Sequence, residues 1–238
     1  LEAAAKGARS FLVNPPNNPT VVVYDRATWQ AIAKTCITHD LWLISDEVYD
    51  TQVWQGKHIS PRSLPDMQER TLVIGSMSKS HAMTGSRIGW ICGPVPVIEY
   101  LTNFATHTTY GVPGFIQDAA EFALSQGQEL EDEVAAPFRR RRRIALDLLT
   151  QQNLVRAVPC SGAMYLMLDM RATGLSGEAF AHALLDAHQI AVMPGESFGQ
   201  AAAGHIRVAM TVADDQFSEA LAVLLSFAAE ICENKRRF

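Results

Sequence analysis

The run Leu41-Trp42-Leu43-Ile44-Ser45-Asp46-Glu47-Val48-Tyr49-Asp50 decides how this 238-residue chain is read. Four apolar residues of strand length end abruptly in a polar turn. A continuous apolar run of that kind is typical of a strand covered on both faces, as in a parallel sheet. Upstream, Asp25 caps a helix predicted over residues 27–39, where Trp29, Ile32, Ala33 and Cys36 keep helical spacing. Before it, residues 11–14 read as a short strand closed by the turn-rich Asn14-Pro15-Pro16-Asn17-Asn18-Pro19. Downstream, residues 71–74 repeat the apolar pattern and residues 88–92 form a further strand between glycines. Alternating strands and helices predict an α/β fold with a mostly parallel sheet.

The second half has a different rhythm. Helices are predicted over 96–106, 114–125 and 129–151, and Pro137 inside the last predicts a kink or break there. Strands over 154–158 and 164–169, a helix over 178–188, an apolar segment at 190–193, a strand over 205–210 and a final helix over 214–232 follow. This pattern predicts a larger α/β domain over 1–128, a bridging helix over 129–151 and a smaller α+β domain over 152–238. Residues 139–143 are five consecutive arginines. On a helix they point in all directions and cannot form one stripe. With the acidic stretch 129–133 shortly before them, they read as a solvated, salt-bridged helix surface.

Composition narrows the function. Hydrophobic residues make up 48% and charged residues 19%, which supplies a core and excludes a disordered chain. No stretch reaches 18 uninterrupted apolar residues, so no membrane span is predicted. A net charge of −5 argues against a nucleic-acid partner. The widely spaced Cys36, Cys92, Cys160 and Cys232 fit neither a metal site nor a disulfide framework, and read as reduced thiols of a cytoplasmic protein. The opening Leu1-Glu2-Ala3-Ala4-Ala5-Lys6-Gly7 resembles the end of an alanine-rich helix, or a helical spacer, and leads straight into a strand. We expect a carboxy-terminal portion of something longer.

The chemistry is concentrated at the strand ends, where open α/β sheets bind ligands. The first strand delivers Asn17 and Asn18, the second Asp46 and Tyr49, and the third Ser76, Ser78 and Lys79. Each alone is ordinary turn chemistry; three adjacent strand ends bearing this set are not. Of five lysines, only Lys79 follows an apolar strand within a Gly/Ser loop. A covalent amine suits an aldehyde cofactor, a carboxylate suits a protonated ring nitrogen, and a phenol with an amide suits a ring hydroxyl. Hydroxyls with Arg87 suit a phosphate. That list describes pyridoxal phosphate.

Several segments together resemble the fold-type-I aminotransferases of classes I and II, the aspartate-aminotransferase superfamily. They are Asn14-Pro15-Pro16-Asn17-Asn18-Pro19-Thr20, Ser45-Asp46-Glu47-Val48-Tyr49, Ser76-Met77-Ser78-Lys79 and Thr84-Gly85-Ser86-Arg87-Ile88-Gly89-Trp90. Met193-Pro194-Gly195-Glu196-Ser197-Phe198-Gly199 and Gly204-His205-Ile206-Arg207 complete the pattern in the family's order. Within the superfamily, His39-Asp40-Leu41-Trp42 and the stretch from Ser78 to Gly85 look most like arginine–pyruvate transaminases. The resemblance implies Lys79 as the lysine that holds the cofactor and moves the proton. It implies Asp46 on the ring nitrogen, Tyr49 and Asn18 on the ring hydroxyl, and Ser76, Arg87 and Ser78 on the phosphate. Arg207 resembles the arginine that grips the substrate α-carboxylate.

The resemblance further implies amino transfer between an amino acid and a 2-keto acid by ping-pong kinetics, in a homodimer. The first domain would be the carboxy-terminal part of the large cofactor-binding domain. Upstream elements of the family, a phosphate-binding glycine loop and a stacking aromatic, are not in this sequence. Where the family has glycine after Asn-Pro-Thr, Val21 stands here, and a β-branched residue resists positive φ. The same residues would serve a carbon–sulfur lyase, a regulatory cofactor-binding module or an inactive fragment.

Overall fold

The computed structural model describes residues 1–236, which fall into two compact units. One comprises Leu1–Asn17 with Val23–Ala135, the other Asn18–Val22 with the chain from Ala136 on.

In the first unit, α1 (Glu2–Ala5) precedes β1 (Ser10–Val13), α2 (Arg26–Thr38), β2 (Trp42–Asp46) and β3 (Thr71–Ser76). A single turn, α3 (Met77–Ser80), leads on to β4 (Gly89–Cys92), α4 (Val95–Thr106) and α5 (Gly114–Ser125). The strands form one sheet in the order β1-β2-β3-β4. The first two pairings are parallel, and β4 runs antiparallel to β3. Asp25 starts α2 as read from the sequence, its side chain accepting the Thr28 N–H at 2.8 Å. The buried face of α2, with Trp29, Ile32, Ala33 and Cys36, packs with Val13, Leu41, Leu43 and Met67 into the main core of this unit. Burial of such side chains contributes roughly 1.5–3 kcal/mol each.

Burial of the run 41–44 on both faces is not what β2 shows. Leu43 and Ser45 are fully buried, whereas Trp42 is 38% exposed and Ile44 only partly covered. Leu12, in register with Ile44, is 63% exposed. The reason is that α2 covers only one side of these strands. Phe104, Phe115 and Phe122 of α4 and α5 also stand in solvent.

The long helix α6 (Gln128–Thr150) contains Pro137 and is not broken by it. Proline removes one i→i−4 hydrogen bond, which a helix of 23 residues carrying an apolar stripe withstands. The second unit continues with β5 (Arg156–Ala157), β6 (Tyr165–Asp169), α7 (Gly177–His188), β7 (Met193–Pro194), β8 (His205–Ala209) and α8 (Asp214–Arg236). Its antiparallel sheet has the order β5-β6-β8-β7. Leu166, Leu168, Phe180, Leu184, Ile206 and Leu224 are among its buried apolar residues.

Arg139, Arg140 and Arg143 are exposed, as a solvated, salt-bridged helix surface requires, and the acidic partner of Arg140 and Arg141 is Asp214. Arg140 and Arg141 both bind Asp214 at the start of α8, at 2.9 and 2.7 Å. Arg141 also donates to the Met210 carbonyl (2.9 Å), and Arg142 to the Cys160 carbonyl (2.7 Å). The helical spread that prevents a single stripe lets neighbouring arginines tie α6 to different loops of its unit.

Residues 18–22 join the second unit through Val21, whose carbonyl accepts the N–H groups of Ser161 (3.1 Å) and Gly162 (3.0 Å). Val21 is fully buried and sits at φ 57°. A left-handed conformation costs an L-residue about 1–2 kcal/mol. Replacement by alanine removes packing and keeps that cost, whereas glycine removes both. We therefore expect Val21→Gly to unfold at higher denaturant than Val21→Ala, by about 1 kcal/mol, the reverse of the usual order for these residues. Urea titration of both variants measures it.

Candidate active site

The parallel pairing of β2 with β3 carries their carboxyl ends to the same edge of the first unit. Asp46, the last residue of β2, is in register with Ile74 of β3, and Ser76 closes β3 two residues further on. Ser76 then caps α3, its hydroxyl accepting the Ser78 N–H (3.0 Å) and donating to the Ile88 carbonyl (3.2 Å). Lys79 therefore rises from a one-turn helix anchored directly to the strand end. Gln52, almost fully buried, donates from Nε2 to the Lys79 carbonyl at 3.2 Å. Ser80 bonds back to the Ser76 carbonyl at 3.2 Å.

Ser76, Ser78 and Arg87 line one open cleft of about 480 Å³ between β3, β4 and α4. Gly75 forms part of that cleft, and a Cβ there would run into the Trp90 indole, so the glycine is required by close approach. Arg87 adopts the left-handed conformation and donates to the Thr84 carbonyl at 2.8 Å. Thr84 in turn donates to the Ser78 carbonyl at 3.0 Å, which closes the loop between α3 and β4.

Asp46 is half-buried, and burial pushes its carboxyl above the usual aspartate range; the Val48 N–H at 3.2 Å opposes this and the Glu47 charge adds to it. Glu47 is itself buried and bonded to His58 (2.7 Å) and Ser60 (3.0 Å). Tyr49 is buried in the turn that follows β2. A half-buried carboxylate of this kind calls for a cation beside it. Together with an amine, two hydroxyls and a guanidinium at one sheet edge, the donor set fits a phosphorylated aldehyde with a basic ring nitrogen.

Asn18 groups with the second unit, where its Oδ1 accepts from Arg207 Nη1 at 2.7 Å. Arg207 occupies β8 between Met167 of β6 and Met193 of β7. Its guanidinium carbon is 4.3 Å from the centre of the Tyr165 ring and 4.8 Å from that of Phe198. Arg207 Nε is buried with no hydrogen-bond partner among the described residues. Such a cation, held over two rings and only partly paired, is prepared for a planar anion. Sequence reasoning missed Tyr165, Phe198 and Gln52. Phe198 lies inside a motif already singled out, but nothing in the sequence marks the other two.

Residues 1–224 match the family model of class I and II aminotransferases. Arginine–pyruvate transaminase AruH of Pseudomonas aeruginosa is 44% identical over 223 residues, 94% of this chain and 57% of that protein. An aspartate aminotransferase of Geobacillus stearothermophilus is 34% identical over 205 residues, 83% of this chain and 52% of that protein. Among solved structures, an aromatic aminotransferase from Pyrococcus horikoshii superposes with a TM-score of 0.89 at 33% identity, covering 93% of this chain and 60% of that one. The chain spans about half the length of the curated relatives it matches. No helix among the described residues is long and apolar enough to cross a membrane. The sheet of the first unit is that of the fold-type-I large domain, and by sequence and by fold the chain belongs to the class I and II aminotransferases.

Proposed function

We propose that this chain supplies the pyridoxal-phosphate and carboxylate-binding groups of an aminotransferase acting between an L-amino acid and a 2-keto acid. The observation that carries the reading is Lys79 on its anchored turn, with the half-buried Asp46 at the neighbouring strand end and the Ser76–Ser78–Arg87 cleft beside it. The name of its 44%-identical relative makes arginine and pyruvate the first pair to test.

When bound, pyridoxal phosphate supplies an electron sink conjugated to the substrate Cα. The chain's own groups divide the rest. Lys79 Nζ would hold the cofactor and would take and return the Cα proton. Asp46 would keep a proton on the ring nitrogen. Tyr49 and the Asn18 amide would serve the ring hydroxyl, while Ser76, Ser78 and Arg87 would hold the phosphate. Arg207 orients the α-carboxylate, a positioning contribution. Residues 1–128 would then belong to the large domain, 129–151 to a bridging helix and 152–238 to the small domain. We read the enzyme as a cytoplasmic homodimer. Unbridged cysteines and the exposed Tyr100, Phe104 and Phe115 support that reading, and sedentration velocity of the loaded protein tests its second part.

Borohydride reduction in excess cofactor, followed by peptide mapping, should place the pyridoxyl group on the peptide containing Lys79. Modification of Lys57 in its place would remove Lys79 from the role. Arg207→Lys should raise KM for both substrates, because a point charge replaces a planar two-pronged donor. Arg207→Ala should cost more, about 2–5 kcal/mol in kcat/KM.

Asp46 gives a stability prediction of opposite sign to its function. Its folded carboxyl is held above the ordinary range, so ionisation opposes folding. The neutral form is fully tolerated below the unfolded pKa, and stability falls as pH rises through the folded one. Asp46→Asn should therefore unfold at a higher temperature than the parent at pH 7, with the gap closing at pH 3. Added pyridoxal phosphate should stabilise the parent more than the variant, as differential thermal scans would show.

A further inference from the structure

The grip on Arg207 depends on where Phe198 lies, and Phe198 belongs to a short 3₁₀ turn, Gly195–Phe198, that follows β7. Three segments converge on that turn. Glu196 Oε1 accepts the N–H of Gly177, first residue of α7, at 2.9 Å and the N–H of Gly204, just before β8, also at 2.9 Å. Its carboxyl is held below the usual glutamate range, first by the Gly204 N–H. The backbones meet closely here. A Cβ on Gly177 would strike the His205 carbonyl oxygen, and one on Gly195 the Ala202 carbonyl oxygen. One carboxylate oxygen thus joins the start of α7, the turn bearing Phe198 and the strand bearing Arg207.

We propose that Glu196 is a positioning residue for the carboxylate grip: by bonding the N–H groups of Gly177 and Gly204, it fixes the turn that lays Phe198 against Arg207. This rests on the reading of Arg207 as the grip. Charge on the acceptor strengthens both bonds, and the start of a helix favours it. The competing account is that Glu196 only caps α7. Ser176 separates the two, because it caps the same helix through the Ala179 N–H at 3.0 Å and does not touch the turn.

The test uses the 238-residue chain labelled with ¹⁵N-arginine, the Nε–Hε signal of Arg207 being assigned by its loss in Arg207→Lys. Two quantities are read: the ring-current shift of that signal, and the dissociation constant for sodium propionate at matched ionic strength. In Glu196→Ala the shift should collapse toward the free-arginine value and propionate should bind at least about fivefold more weakly. Glu196→Gln should stay within about twofold of the parent, because its amide oxygen still accepts. Ser176→Ala should lower the melting temperature and leave both quantities unchanged. Where Glu196→Ala does not fold, Glu196→Asp, which withdraws the carboxylate by one methylene, replaces it with the same expectation. A folded Glu196 variant that keeps the parent shift and affinity while melting lower, as Ser176→Ala does, overturns the proposal. If propionate leaves the Arg207 signal of the parent unmoved, the grip reading fails; the ring-current shift, which needs no ligand, still decides whether Glu196 places Phe198.

Discussion

Parallel pairing of β2 with β3 is the constraint on which the first unit's chemistry depends. Parallel strands end at the same edge, so the residues that follow them are delivered side by side without any long-range recognition between their side chains. Asp46 and Ser76 occupy that edge because the register matches Asp46 with Ile74. A one-residue slip would send Asp46 to the opposite face of the sheet and bury a carboxylate against α2. The apolar contacts of Leu43 and Val13 with Trp29 and Ile32 therefore fix the site as much as they fix the core.

Some of the groups proposed for chemistry carry a cost in folding. Asp46 is pushed toward its neutral form by burial, Arg207 Nε is buried without a hydrogen-bond partner among the described residues, and Arg87 holds a left-handed backbone. The same features occur elsewhere among the described residues, with left-handed backbones also at Asp40, Asp66, Ala82, Tyr110, Ala163 and Gln189, so each is a local cost of the fold rather than a mark of the site. An anion bound at Arg207, or a cation at Asp46, would offset part of these costs. Binding energy and folding energy are in this sense linked through the same few atoms.

What could be read in advance follows the range of the interactions involved. The edges of the central strands, the Asp25 cap and the Lys79 turn are local, and their residues announce them. Positive φ at Val21 was legible too, because a β-branched residue stood where the resemblance calls for glycine. Contacts across long stretches of sequence were not. The Asn18–Arg207 bond joins residues 189 positions apart, and Arg140 reaches Asp214 across 74. The stacking of Tyr165 on Arg207 belongs with them, since it arises from the pairing of β6 with β8. No periodicity encodes such pairs. Asn18, read from the sequence only as a strand-end residue, groups with the second unit and makes such a long-range bond there.

Four arginines of the second unit show how context sets the role of a single residue type. Arg140 and Arg141 face the Asp214 carboxylate, and Arg142 ends on a backbone carbonyl. The first two are neutralised, and Asp214 answers by holding its proton less firmly than an ordinary aspartate, owing first to Arg140 and then to Arg141. Such contacts complete a fold and leave little charge to offer. Arg207 is different. Its Nη1 donates to a neutral amide oxygen, and its guanidinium lies over aromatic rings that attract a cation without cancelling its charge. A half-buried guanidinium in that setting retains a strong field at its edge, and the partner it lacks is an anion with two coplanar oxygens. That remaining demand, rather than arginine as such, distinguishes Arg207 from Arg140, Arg141 and Arg142, and it is what the proposed grip on a carboxylate would use.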